Sequence, residues 1–197
     1  IDCDLLCVSG GYTPAVHLFT QSGGKLLYNE NKSYFYPGKN SLEQISIGSC
    51  TGIFNLKKII DDAYTKVNEF LKTNIENDTL VSDIKSGGFE NIWLIPSNKV
   101  PGKTKSFVDF QNDSTANDIK LALREGFKSI EHVKRYTTTG MATDQGKIAN
   151  MHALGIISEH TKTKMGELGT TTFRPPYTPL TFGALVGRNV KKFFDIT

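Results

Sequence analysis

Cysteine is scarce in this chain of 197 residues: only Cys3, Cys7 and Cys50 occur. An odd, small number without paired spacing excludes a disulfide framework and suits a reducing compartment, so a cytoplasmic location is expected. No apolar run approaches the roughly 20 residues of a membrane-spanning helix. An excess of one charge is lacking too, since 23 Lys and Arg face 20 Asp and Glu, a formal net charge of +3. That near balance gives no argument for nucleic acid or a membrane surface as partner, and neither is expected. His17, His132, His152 and His160 show no i, i+4 metal-type pairing, and no base stands beside a cysteine. No catalytic residue and no metal site can therefore be argued from the residues. There is no internal repeat.

What is present is a globular composition, 38% apolar, sufficient for one ordinary domain or two small ones. The chain opens "IDCDLLCVSGG", with neither Met nor a basic leader, and reads as a piece of something longer. Residues 4–9 form an apolar strand candidate. "KLLYNENKSYFYPG", residues 25–38, predicts a hairpin around an Asn-rich turn. "QISIG", residues 44–48, alternates like a strand and runs into a helical pattern carrying Ile53, Leu56, Ile59, Ile60, Ala63, Val67 and Leu71. Residues 48–52 would then be a strand–turn–helix junction exposing the start of a helix of about twenty residues. Residues 72–105 are polar and rich in Gly and Pro, a connector with one apolar strand at 92–95.

Beyond the connector the pattern turns helical. "SFVDFQ" is strand-like. Residues 113–115 can cap a helix, "TANDIKLALREGF", with Ile119, Leu121, Ala122 and Leu123 inward and Gly126 closing it. Ser129 can cap a second helix that Gly140 stops, and a third should start near Asp144 or Gln145. The tail, "GTTTFRPPYTPLTFGALVG", is expected to be extended because adjacent prolines forbid a helix.

Two segments suit ligand chemistry. "IGSCTG", residues 47–52, would present free N–H groups at a helix start, suited to a phosphate or a ribityl hydroxyl, although such junctions are common. "EHVKRYTTTGMATDQGK", residues 131–147, groups cations, hydroxyls and a tight turn. Lys134 and Arg135 fit the C-terminal dipole of a helix, but the threonines, Gly140, Gln145, Gly146 and Lys147 also suit a phosphate, and both readings stand. "FRPPYTP" reads as a rigid linker or as a strap, with Phe173, Arg174 and Tyr177 as anchor types.

The segments "DFQNDSTANDIKLALREGFKSIEHVKRYTTTGMATDQGKIANMHALGIISE", "GTTTFRPPYTPLTFGALVGRNV" and "CDLLCVSGGYTPAVHLFTQSGGKL" with "GSCTGIFNL" together resemble the alpha-subunit family of heterotetrameric sarcosine oxidases. The resemblance covers nearly all of the chain and is weakest in the connector. It implies a fold of class α/β plus all-α. Residues 1–71 would be the C-terminal part of a flavoprotein-disulfide-reductase-like dinucleotide-binding domain, and 72–104 the connector. Residues 105–169 would be a small helical domain resembling 2Fe–2S ferredoxin-like modules related to bacterioferritin-associated ferredoxin. Residues 170–197 would lead toward a folate-binding, aminomethyltransferase-like domain.

The resemblance further implies an oxidoreductase working with beta, gamma and delta subunits. Such a complex demethylates sarcosine to glycine with O2, giving H2O2 and 5,10-methylenetetrahydrofolate. It uses NAD, FMN at a subunit interface, FAD in a partner subunit, and tetrahydrofolate; this piece alone would be inactive. Carried onto this chain, the NAD turn falls on Gly48, Ser49 and Cys50, with Phe54 and Leu56 beyond. Ser49 stands where related FAD-binding reductases have an Asp, which favours NAD over FAD there. The four cluster-ligand places fall on Asp109, Gln111, Asp144 and Ala149, which cannot replace four thiolates, so no iron–sulfur cluster is expected. Arg135, Thr137, Thr138, Gln145 and Lys147 would then supply contacts to FMN or to the beta subunit. A related amine or opine dehydrogenase, or an electron-transfer module, is the alternative.

Overall fold

The computed structural model describes residues 3–5, 12–82, 91–94, 97–99, 103–175 and 178–188. The chain forms two compact units, residues 1–89 and 90–197.

In the first unit a short helix α1 (His17–Gln21) precedes the hairpin of β1 (Leu26–Asn29) and β2 (Tyr34–Pro37). The strands pair antiparallel, Leu26 opposite Pro37 and Asn29 opposite Tyr34, as the sequence predicts. The Asn-rich turn closes because the Asn29 side chain accepts from the Lys32 amide at 3.0 Å while Ser33 adopts φ +51°. Tyr34 and Phe35 are buried, as are Val16 and Phe19 from the α1 region. Helix α1 was not expected: five residues are too few for periodicity to register. The strand candidate at 4–9 lies mostly outside the described residues.

Helix α2 (Leu56–Leu71) is capped by Asn55, whose side chain accepts from the Lys58 amide. It is shorter than the expected twenty residues. Not one of its residues is buried: the predicted stripe is half-covered at Ile59, Ile60 and Ala63, and exposed at Leu56, Val67 and Leu71. The expected strand at 44–48 is extended at Ile47 but has no partner strand among the described residues. Its Ser46 carbonyl instead accepts from Lys66 Nζ at 3.0 Å, and Lys66 pairs with Asp62 at 3.1 Å. Backbone polar groups need partners, and here a side chain supplies what a ladder would.

The second unit begins with β3 (Phe107–Asp109) and β4 (Ser114–Thr115), an antiparallel pair leading straight into α3 (Ala116–Arg124). The α3 start is a complete capping box: Thr115 accepts from the Asp118 amide, and Asp118 accepts from the Thr115 amide at 2.8 Å. Thr115→Ala should lower unfolding stability by about 1–2 kcal/mol. A shifted urea midpoint with an unchanged slope would show it; an unshifted midpoint would deny the cap that weight.

Helices α4 (Ile130–Thr137) and α5 (Ala149–Thr161) pack on α3, and Ile119, Ala122, Val133, Leu154 and Ile157 form the core between them. Leu121 and Leu123, expected inward, are half-covered. Two helix limits differ from expectation. Helix α4 ends at Thr137, because Thr138 adopts φ +60°, two residues before Gly140. Helix α5 starts at Ala149, because Gln145 and Gly146 both have positive φ and cannot lie in a helix. The chain then forms α6 (Met165–Leu168), and after Pro179 a last short helix, α7 (Phe182–Val186), where an extended tail was expected. The prolines end before it and Thr181 caps it, accepting from the Ala184 amide, so nothing forbids the turn.

The connector is not simply a linker. The expected strand at 92–95 is absent from its described residues, which bend instead. Trp93 belongs to the second unit and packs its indole on α5 at Gly155, where any Cβ would overlap the ring.

Candidate cofactor-bordering sites

Asp109 is the centre of the second unit's loop structure. It ends β3, is 3% exposed, and collects three backbone amides. One carboxylate oxygen accepts from Gln111 at 2.9 Å and Asn112 at 3.0 Å; the other accepts from Gly140 at 2.7 Å. The Gln111 side chain accepts from the Thr143 hydroxyl at 3.1 Å, so the β3–β4 turn and the 138–148 loop are tied twice. A third tie runs from the Asn112 amide group to the Thr138 carbonyl at 2.9 Å.

Of the four places carried over from the 2Fe–2S modules, Asp109 and Gln111 are thus engaged with this loop. Asp144 accepts from the Gly146 amide at 3.1 Å and Ala149 is buried at the start of α5. Among the described residues no group of three or more His, Cys, Asp or Glu is placed to hold a metal ion.

The loop is shaped by two glycines and one asparagine. Gly140 and Gly146 have φ near +72° and +73°, and a Cβ on either would run into the Asn150 side chain. Asn150 in turn donates to the Gln145 carbonyl at 3.2 Å. Sequence reading found this turn but missed Asn150 and the central part played by Asp109.

The five residues assigned to FMN or the interface do not all face outward. Thr137 is buried, its hydroxyl donating to the Val133 carbonyl at 2.8 Å and bonded to the Thr139 hydroxyl, also at 2.8 Å. Thr138 and Arg135 are exposed, and Arg135 pairs with Glu131 at 3.1 Å on the same helix. Gln145 accepts from the Arg174 amide at 2.8 Å, and Glu131 accepts from the Thr172 amide at 3.1 Å. These two bonds pin residues 172–174 of the tail across α4 and the loop; Pro176 and Tyr177 lie outside the described residues. Lys147 is half-buried.

In the first unit, residues 48–51 form a 3-10 turn closed by Gly52 at φ +83°. Residues 52–55 separate it from α2, so the expected direct junction is replaced by a turn packed beside the helix. The Gly48 amide donates to Asp62 at 3.3 Å, and the Tyr34 hydroxyl donates to the Gly52 carbonyl at 2.8 Å. Ser49 is exposed and Cys50 half-buried, its thiol directed at the Ile47 carbonyl. Phe54 and Leu56 are exposed, with Phe54 flanked by Tyr12 and edge-on to Tyr34 at centroid distances of 6.1 and 5.9 Å. A carboxylate already at the Gly48 amide opposes a phosphate there. A neutral hydroxyl-bearing part of a nucleotide, beside Ser49 and the Phe54 ring, fits these residues better.

No helix among the described residues is long and apolar enough to cross a membrane. The fold is a mixed helix-and-strand arrangement shared with a dehydrogenase: L-proline dehydrogenase from P. horikoshii aligns with a TM-score of 0.59 at 20% identity, over 89% of this chain and 37% of that one. Residues 103–188 match the family model described as the sarcosine oxidase A3 domain. Across 99% of its length the chain is 39% identical to the alpha subunit of sarcosine oxidase from Rhizobium meliloti (strain 1021), spanning 20% of that protein. It is 35% identical to the sarcosine oxidase alpha subunit of Corynebacterium sp. (strain P-1), over 98% of this chain and 21% of the relative. A shorter stretch of 69 residues is 32% identical to one subunit of an opine oxidase from Rhizobium meliloti (strain 1021), covering 35% of this chain and 15% of that one. Residues 103–188 thus belong to the sarcosine oxidase A3 domain family, and the chain spans about a fifth of the length of the curated relatives it matches.

Proposed function

We infer that this chain is part of the alpha subunit of an oxidoreductase that oxidatively demethylates sarcosine to glycine with O2, yielding H2O2 and 5,10-methylenetetrahydrofolate. One observation carries this: along 99% of the chain, 39% identity to the alpha subunit of a sarcosine oxidase. In this reading beta, gamma and delta subunits complete a cytoplasmic heterotetramer, and the chain itself carries no catalytic residue. Bound FAD and FMN would pass the electrons, while NAD and tetrahydrofolate complete the cofactor set.

The domain assignment follows the same reading. Residues 1–71 end a dinucleotide-binding domain, 105–169 form a ferredoxin-like helical domain, and the connector and tail lie between and after them. Gly48, Ser49, Cys50, Phe54 and Leu56 border NAD, with Ser49 and Phe54 facing its neutral part. Arg135, Thr138, Gln145 and Lys147 lie at the FMN and beta-subunit border, whereas Thr137 holds the loop from inside. The helical domain binds no iron–sulfur cluster: the Asp109 carboxylate serves backbone amides, and a carboxylate is a poor ligand for a cluster that requires thiolates.

Two measurements test this. Full-length protein co-expressed with beta, gamma and delta partners should produce peroxide in proportion to sarcosine, and contain flavin and NAD but neither iron nor acid-labile sulfide. Arg135→Ala combined with Lys147→Ala should lower the FMN retained by the assembled enzyme, and undiminished FMN would remove those residues from the site. The 32% identity of 69 residues to an opine oxidase favours a second reading, a related amine or opine oxidoreductase. Peroxide from opines but not from sarcosine would select it.

A further inference from the structure

Three cations of the second unit stand around one groove, and none of them is in an ion pair among the described residues. Lys120 and Arg124, four residues apart, share a face of α3, and Lys128 follows just beyond the helix. The ion pairs among the described residues are Lys66–Asp62 and Arg135–Glu131. The groove is open, of about 950 Å3, and runs between α3 and the region where α5 gives way to α6. Leu121, Phe127 and Leu168 make its floor apolar. The Phe127 ring is held in place by Tyr136, at a centroid distance of 4.8 Å. Asp118 is the one carboxylate on the lining, and it is committed to Thr115, accepting from the amide at 2.8 Å and the hydroxyl at 2.7 Å.

We propose that this groove is the docking site of an acidic, apolar-faced segment of a partner polypeptide. The cationic rim selects carboxylates and the apolar floor selects the side chains between them, so a segment that alternates the two satisfies both. A free phosphate would satisfy the rim but leave the floor wet. A purely apolar segment would bury the floor and leave three cations facing it. Because the aromatic floor is already packed, little ordering is needed on binding. The site belongs to α3 and its surroundings and is independent of sarcosine, flavin or NAD.

The test uses the full-length protein with a fluorescein-labelled peptide of alternating Glu and Leu. Matched peptides of alternating Lys and Leu and of Glu alone serve as comparisons. The Glu–Leu peptide should saturate and bind about tenfold more tightly than either comparison, and Lys120→Gln with Arg124→Gln should weaken it about tenfold. In the assembled complex, zero-length carbodiimide cross-linking should join Lys120 or Lys128 to an Asp or Glu of a different polypeptide. Equal binding of the Glu-only peptide would reduce the site to diffuse charge attraction and overturn the proposal. So would binding unaffected by the double substitution, or cross-links confined to a second copy of this chain.

Discussion

Asp109→Ala should destabilise the full-length protein by about 2–3 kcal/mol, a large share of an ordinary domain's stability. Three amides lose their acceptor at once, but they do not weigh equally. Gln111 and Asn112 lie in an exposed turn, where water can replace the lost oxygen. Gly140 is buried and bonds to Asp109 across 31 positions of sequence. An orphaned buried N–H costs about 1–3 kcal/mol, so Gly140 dominates the loss. Asp109→Asn keeps the shape but only one accepting oxygen, and should fall between Ala and wild type. Urea midpoints of the three proteins test this order. A midpoint for Asp109→Ala equal to wild type would mean that the carboxylate does not organise the loop.

Gly155→Ala should have opposite signs in two backgrounds. In the wild-type protein the new methyl collides with the Trp93 indole, and the ring must leave the helix. Burying an aromatic side chain contributes about 1.5–3 kcal/mol, while exchanging glycine for alanine inside a helix gains about 1 kcal/mol. The collision therefore wins, with a net loss of about 0.5–2 kcal/mol. With Trp93→Ala already present the collision is gone, and the same change should stabilise by about 1 kcal/mol. The difference is the coupling of the two positions. Trp93 is the one tryptophan in the chain, so its fluorescence should also shift to the red in the Gly155→Ala protein. Equal effects in both backgrounds, without a shift, would place Trp93 elsewhere.

These two residues also mark where sequence reading stops. Local features were legible because their signals are local. The hairpin at 25–38 is visible from its turn, and the α3 cap from the Asp-Ser-Thr run at 113–115, although the answering carboxylate of Asp118 is not. The helices α3, α4 and α5 could be seen from periodicity, within a few residues at their ends. Trp93 sat in a polar, Pro-rich stretch whose composition said connector, and only the tertiary contact with Gly155 gives it a place. Asp109 was noticed for what it is not, a thiolate, because its three bonds depend on a distant loop. The 44–48 strand failed for the same reason: alternation predicts a face, but pairing needs a neighbour, and Lys66 caps the carbonyl instead. At the candidate site, residue type suggested that Thr137 faces a ligand, whereas its hydroxyl closes the end of α4 from within.

The crowding of Gly140, Gly146 and Asn150 reaches beyond this one chain. Each glycine leaves a space that the Asn150 amide fills, and each also needs a backbone angle that other residues resist. The three positions therefore act as one unit of variation. A relative with a smaller residue at 150 loses the amide that closes the loop, and could then accept a side chain at 140 or 146 only by rebuilding the turn. Such substitutions should appear in relatives together, with a changed loop length, or not at all.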